Sequence, residues 1–318
     1  MPLARSPIRP LAIIGNVNVD IIVGDCPPTL HPGTESMVAH GDVRPAGCVG
    51  NTALAWMAME MPFQVAANTG NDMFGDWLRT IFRAHSSSWP RESCATTFSV
   101  GIAHPDSERT FLTTHGHIAR LSLEEVKRAL DLDALSGGIA LVVGGFLTDS
   151  LTAEYEGLFD LLAGHQIEVA LDTGWPITGW TSEIRAQCRS WVTRCDHLLM
   201  NEVELLSLSE AANIEEAMIA AARMMPKDAR VVAKRGPLGA SGLSGGGLVH
   251  VPAPPVTAVD TIGAGDVFNA GYLAAMAKGE PFGDAIAAGV ATASRAISTH
   301  PREYGVPAAA QKQIGRGR

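Results

Sequence analysis

Asp260-Thr-Ile-Gly-Ala-Gly-Asp266 places two glycines between two carboxylates. It follows Pro254-Pro-Val-Thr-Ala-Val259, which is expected to be a strand, and precedes Val267 to Lys278, whose apolar pattern predicts a helix ending at Gly279. Gly263-Ala264-Gly265 therefore falls at a helix N-terminus. Glycine there lets the backbone approach a ligand closely. The unpaired N–H groups and the positive end of the helix dipole favour an anion such as a phosphate. Asp266 falls in the first helical turn beside that anion position. Such a carboxylate has two readings: a helix cap, or a base that accepts the proton of an attacking hydroxyl during phosphoryl transfer.

Upstream, short apolar runs alternate with helical patterns. Leu11–Ile14, Phe63–Ala67, Ile139–Val143, Glu168–Leu171, His197–Met200 and Arg230–Ala233 read as strands. Asn51–Glu60, Asp72–Ala84 and Thr152–Leu162 read as helices, and Ser122-Leu-Glu-Glu125 has the form of a capping box opening another. This alternation predicts an α/β fold of βαβ units around a mostly parallel sheet. Two regions break the rhythm, about 21–45 and 94–117. The second carries Thr96–Ile102 and Arg109–Thr113, which are expected to form a small sheet standing off the rest as a lid. The glycine-rich Ser241–Gly247 reads as a hairpin turn. No linker divides the chain, so residues 1–318 are expected to form a single catalytic domain with this lid.

The chain has 318 residues, 46% hydrophobic and 18% charged, enough for a sizeable core. Its formal net charge of -9 argues against a nucleic-acid partner, which needs a basic face. The five cysteines form no C-x-x-C pair, and this points to a reduced, cytoplasmic setting. Leu11–Ile14 is too short for a signal-peptide core, and no apolar run reaches the roughly 18 residues of a membrane span. There is no Walker-type phosphate loop.

With Phe268-Asn-Ala-Gly271 following it, the opening run resembles the C-terminal signature of the ribokinase-like (PfkB-type) carbohydrate kinases. The resemblance extends over nearly the whole chain, with its motifs in order. Gly15-Asn-Val-Asn18-Val-Asp20 is similar to the family's first strand, and Ala46-Gly47-Cys-Val-Gly-Asn51 to its N-terminal signature. Gly70-Asn-Asp72-Met-Phe-Gly75 matches its G-x-D-x-x-G step, and Glu108-Arg109-Thr-Phe resembles its second lid strand. Asn201-Glu-Val-Glu204 matches its N-x-x-E motif, and Lys234-Arg-Gly236-Pro-Leu-Gly239 resembles its nucleotide-side turn. The resemblance implies transfer of the γ-phosphoryl group of ATP to a hydroxyl of a sugar or sugar-like alcohol. Asp266 would be the base, and the N–H groups of Ala264, Gly265 and Asp266, following Gly263, an anion hole. Asn18, Asp20, Gly47, Asn51 and Arg109 would hold the substrate. Gly236 and Gly239 would flank the nucleotide, and Asn201 and Glu204 would hold Mg2+ through water. The family also implies a homodimer made by paired lids.

Departures from the family pattern narrow these expectations. Many relatives bind a monovalent cation such as K+ through the backbone of the Asp260–Ile262 turn and a C-terminal loop. Here that loop reads Ser298-Thr-His-Pro-Arg-Glu-Tyr-Gly305, with Pro301 where a glycine is usual, which argues against K+ activation. Asp172-Thr-Gly-Trp-Pro176 is similar to the fructokinase and ketogluconate-kinase turn but lacks its Asn and Arg, which favours a neutral sugar. A nucleoside kinase of the same fold and a catalytically silent sugar or nucleotide sensor are the alternatives; the intact Gly263–Asp266 run argues against the sensor. His115 and His117 suggest a metal only in the company of a third ligand. Lys234 and Arg235 read equally well as surface charges.

Overall fold

Leu11–Ile14 and Ile139–Val143 are apolar at every position and buried at every position. Such runs belong in the middle of a sheet covered on both faces. The computed structural model describes residues 8–24, 26–27, 31–103 and 109–304. In chain order the elements are β1 (Leu11–Ile14), β2 (Asn18–Gly24), β3 (His40–Ala46), α1 (Gly47–Ala58), β4 (Phe63–Ala66), β5 (Thr69–Gly70), α2 (Met73–Phe82), β6 (Arg91–Glu92), β7 (Phe98–Ala103) and β8 (Arg109–Thr113). Next come α3 (Leu123–Ala129), β9 (Ile139–Val143), α4 (Asp149–Thr152), α5 (Tyr155–Gly164), β10 (Glu168–Asp172), α6 (Ser182–Val192), β11 (His197–Asn201), α7 (Glu202–Ser209), α8 (Ile214–Met224) and β12 (Arg230–Lys234). The last are β13 (Ala240–Ser244), β14 (Gly247–Val251), α9 (Ala264–Ala277) and α10 (Phe282–Ser298).

Eight strands form the main sheet in the order β14-β13-β12-β11-β10-β9-β1-β4. Pairing is parallel from β4 to β12, and β13 and β14 close one edge as an antiparallel hairpin. Side chains alternate between two cores. Ile13, Leu141 and Leu199 pack with Trp56 of α1, Leu273 of α9 and Ile286 of α10. Ile14, Val142 and Leu198 pack with Leu158 of α5, Val192 of α6 and Met218 of α8. Among the described residues, no helix is long and apolar enough to cross a membrane.

A second, four-stranded sheet runs β3-β2-β7-β8, with β2 and β7 parallel and the outer pairs antiparallel. It is built from the two segments that broke the βαβ rhythm, and its inner end is the Asn18–Ala46 pair.

Several local expectations change. No strand forms over Pro254–Val259; Pro254 and Pro255 have no N–H to give a ladder. The helix expected from Asn51 begins at Gly47, whose φ of 82° turns the chain directly from β3 into α1. The helix expected over Thr152–Leu162 is divided between α4 and α5. The capping box at Ser122 and Glu125 forms as read, whereas the hairpin turn expected over Ser241–Gly247 narrows to Gly245 and Gly246, because β13 and β14 pair on either side of it.

Helices α1 and α9 are joined side by side. The Thr52 hydroxyl donates to the Asp266 carbonyl at 3.1 Å, and the Trp56 indole N–H donates to the Ala270 carbonyl at 3.0 Å inside the core. Trp56→Phe keeps most of the packing and removes that donor. Urea denaturation is expected to show a loss of about 0.5–1.5 kcal/mol for this one buried bond.

Candidate active site

Strands β10, β11 and β12 end side by side at Asp172, Asn201 and Lys234. Parallel sheets place ligands at this edge, beyond the carboxyl ends of the strands. The N-terminus of α9 comes to the same edge: a Cβ built on Gly265 would stand 3.3 Å from the Lys234 ammonium. Gly263, with φ of 73°, is the N-cap and supplies no side chain. A Cβ at that residue would meet the Asn51 amide at 2.5 Å, so glycine is required both by backbone and by space. The Ala264 N–H points to the Thr261 carbonyl at 3.2 Å. Those of Gly265 and Asp266 belong to the first turn, which has no carbonyl of its own helix to bond.

Asp266 sits among polar groups from four elements. Asn51 of α1 donates to its Oδ2 at 2.9 Å, and the Cys48 thiol also bonds to it. Burial first, and the Asp172 charge second, push the Asp266 carboxyl up to about 6, although Asn51, Lys234 and Cys48 work the other way. A carboxylate tuned to this range can take a proton near neutral pH and release it again. Lys234 donates to Asp172 Oδ2 at 2.5 Å, and Asn269, one helical turn after Asp266, donates to the same oxygen at 2.6 Å. Burial works against the charged form of Lys234, but Asp172, Glu204 and Asp266 outweigh it and hold the ammonium above its usual range. Glu204 is buried as well; burial and the Asp172 charge push its carboxyl up to about 7. Asn201 and Glu204 form a reciprocal capping box on α7, each backbone N–H bonded at 2.9 Å by the other's side chain.

Of the expected substrate residues, Asn18 and Asp20 lie on the small sheet, Gly47 opens α1 where β3 ends, and Asn51 of α1 is the partner of Asp266. Asn18 donates to Asp20 at 3.1 Å. Gly47 comes so close that a Cβ there would stand 2.5 Å from Asn18 Oδ1. Burial pushes Asp20 up to about 6, against the nearby Arg44 charge. Strand register puts Arg44, Asp20, Ser99 and Thr113 in one row across β3, β2, β7 and β8. Ser99 and Thr113 hydroxyls bond at 2.9 Å. The same face carries Ile22 and Phe111 one row further out, both packed over Gly101.

Not every expected residue joins these groups. The backbone of Arg109 pairs with Ala103 at the outer end of the small sheet, four residues along β8 from the Asp20 row; its side chain and Glu108 fall outside the described residues. Gly236 and Gly239 bound the short turn between β12 and β13, where a Cβ on Gly239 would meet the Val251 carbonyl at 2.0 Å. Asp72 caps α2 and also accepts from Thr96, which clamps the segment leading into β7. His117 is sealed between backbone groups, accepting from Thr97 N–H at Nδ1 and facing the Val17 carbonyl at Nε2. Among the described residues no cluster of His, Cys, Asp and Glu is arranged to hold a metal. Lys234, Asp172, Asn269 and Cys48 lie within motifs quoted from the sequence but were given no site role, and Arg44 was not singled out. The usable signal was positional: Asp172 and Lys234 each end a parallel strand, and Asn269 follows Asp266 by three residues on one helical face.

A profile of the pfkB family carbohydrate kinases matches residues 10–308. The chain belongs to this family. With that membership it is an ATP-dependent kinase of ribokinase-like fold. An adenosine kinase of Schizosaccharomyces pombe is 26% identical over 262 residues, 77% of the present kinase and 70% of its own length. A probable sugar kinase from Rhizobium etli CFN 42 superposes with a TM-score of 0.79 at 22% identity, covering 98% of this chain and 99% of that one. An E. coli protein described as a ribokinase II, in complex with ATP and Mg2+, gives a TM-score of 0.76 at 19% identity, covering 92% and 93%.

The Lys234–Asp172 pair is deeply buried. Lys234→Met is therefore expected to cost about 3–5 kcal/mol in urea denaturation, because it strands the Asp172 carboxylate. The double variant Lys234→Met with Asp172→Asn recovers most of that loss if the pair is as described.

Proposed function

We propose that this kinase transfers the γ-phosphoryl group of ATP to a hydroxyl of a neutral sugar or sugar-like alcohol, with Asp266 as the base. The observation that carries the reading is the Asp266 carboxylate, fixed by Asn51 in the first turn of α9, beside the N–H groups of Gly265 and Asp266. In this reading the substrate hydroxyl meets Asp266 Oδ, and its proton passes there as the oxygen attacks phosphorus. The first-turn N–H groups and the Lys234 ammonium stabilise the charge on the transferring group. Asn18, Asp20 and the Ser99–Thr113 pair orient the other hydroxyls.

Asn201 and Glu204 would hold Mg2+ through water. The buried Glu204 carboxyl and the Asp172 charge beside it support this reading, because a hard cation would relieve their repulsion. Mg2+ would neutralise phosphate charge as the nucleotide binds. We place residues 1–318 in one catalytic domain, with the small sheet as a lid that excludes water. ATP use supports a cytoplasmic location. Val43 and Leu112, exposed on the small sheet face opposite Asp20, support a homodimer through the lids; sedimentation tests it.

Arg44 shares a row with Asp20, yet its charge is engaged by Asp260, which supports a neutral substrate over an acidic one. Phe111, one row out on the same face, and the adenosine kinase likeness favour a nucleoside as the second reading. ADP release measured across sugars, nucleosides and sugar acids separates them: the expected best acceptor is a neutral sugar, and a nucleoside preference would replace that assignment.

Asp266→Asn is expected to lower kcat by roughly 10²–10⁴ with the fold retained; near-normal turnover would remove Asp266 as the base. Asp266 must be ionised to act, and Asp20 also titrates at about 6. The kcat/KM profile is therefore expected to fall as pH drops through about 6. The same raised values mean that the folded state binds more protons than the unfolded chain between the ordinary 3.8 and about 6. These two groups thus remove stability as pH rises through that window, opposite in sign to their effect on activity.

A further inference from the structure

The turn that leads into Gly263 is held by a guanidinium. Arg302 Nη2 donates to Asp260 Oδ2 at 2.6 Å, to the Ile262 carbonyl at 2.5 Å and to the Asp260 carbonyl at 3.3 Å. Its side chain is 11% exposed. Arg44, arriving from β3, bonds to the same Asp260 oxygen. The other carboxylate oxygen accepts from the Ile262 N–H at 3.0 Å, and the N–H groups of Val259 and Asp260 both reach the Ile297 carbonyl at the end of α10.

The Asp260 and Ile262 carbonyls and the Asp260 carboxylate are the oxygens a monovalent cation would need from this turn, and one nitrogen of Arg302 touches all three. Charge leads to the same result. Asp20 and Asp260 face Arg44 and Arg302, with the neutral Tyr304 phenol beside them, so the corner balances without an added ion. The residues present do not fit a free K+. The loop that follows α10 contributes a side-chain cation at that place, with Pro301 ahead of it.

We propose that Arg302 is a tethered monovalent cation: it fixes the turn entering the Gly263–Asp266 anion site, and turnover needs no K+. The inference rests on the kinase reading for its catalytic consequence, but the occupancy of the turn can be measured without catalysis. A guanidinium keeps its charge at every physiological pH and cannot diffuse away, so activity is set by ATP and acceptor alone.

The test compares the full-length protein in K+ and in tetramethylammonium as the only monovalent cation, using ADP release, the melting temperature and 205Tl+ NMR as a direct probe of a K+-type site. The wild type is expected to turn over equally in both buffers to within about twofold, with no K+-induced melting shift and no specific 205Tl+ broadening. Arg302→Ala vacates the three oxygens. It is expected to lose at least about tenfold in kcat in tetramethylammonium, to regain activity with K+, and to show the 205Tl+ signal that the wild type lacks. Saturable 205Tl+ binding to the wild type, or its stimulation by K+ of about tenfold or more, would overturn the proposal. Should Arg302→Ala fail to fold, Arg302→Lys keeps the charge, and the wild-type measurements decide on their own. Absence of ADP release with every acceptor counts against the kinase reading, while the 205Tl+ and melting results still judge Arg302.

Discussion

Asp172, Glu204 and Asp266 share one buried corner with the ammonium of Lys234. Like charges in a poorly solvated space cannot all ionise at their ordinary pH. Burial is the first cause that lifts Asp266 and Glu204 toward neutrality, and the Asp172 charge, only partly offset by Lys234, adds to it. Everything else at the sheet edge follows from where this corner stands. Asn269 shares the load on Asp172, Asn51 fixes the direction of Asp266, and glycine at residues 263 and 265 leaves room for Asn51 and Lys234. If the proposed phosphoryl transfer takes place here, so acidic a corner would favour an anion that arrives with a divalent cation over a bare one.

A second corner, at Asp260, is balanced instead of acidic. Asp20 and Asp260 meet Arg44 and Arg302. The two corners are the two ends of one short stretch, Asp260 to Asp266, so the polypeptide that carries Asp266 is held at one end by guanidinium groups on Asp260 and at the other by the Asn51 amide on Asp266. Breaking a partly buried pair of this kind costs several kcal/mol when one partner is left behind, which keeps the intervening glycines in place despite their conformational freedom.

The local parts of this design were legible in the sequence. β1 and β9 read as strands because both faces are covered, and the Asn201–Glu204 box is complete within four residues. The anion run announced itself through glycine at a helix start. Lys234 was not legible, because what makes it a site residue is Asp172, 62 positions away, and a lysine at a strand end looks the same whether solvated or sealed. Arg44 and Arg302 meet at Asp260 across 216 and 42 positions, beyond any motif. Pro254–Val259 misled because its β-branched residues suggest a strand while its prolines withhold the donors a strand needs.

In its proposed role as a lid, the small sheet would be limited by its attachments in how it closes. Its inner end is tied down: Asn18 pairs with Ala46, β3 runs into α1 without a loop, and Arg44 grips Asp260. The row of Arg44, Asp20, Ser99 and Thr113 belongs to that inner end, whereas Gly24, His40, Ala103 and Arg109 form the outer one. Any swing of such a lid would pivot near the Asp20 row and sweep the outer rows through the larger arc. The groups proposed to bind hydroxyls would then move least, and Phe111, one row further out on the same face, would move more. On that proposal, changes at the outer rows would alter access to the site more than they would alter the placement of the Asp20 row.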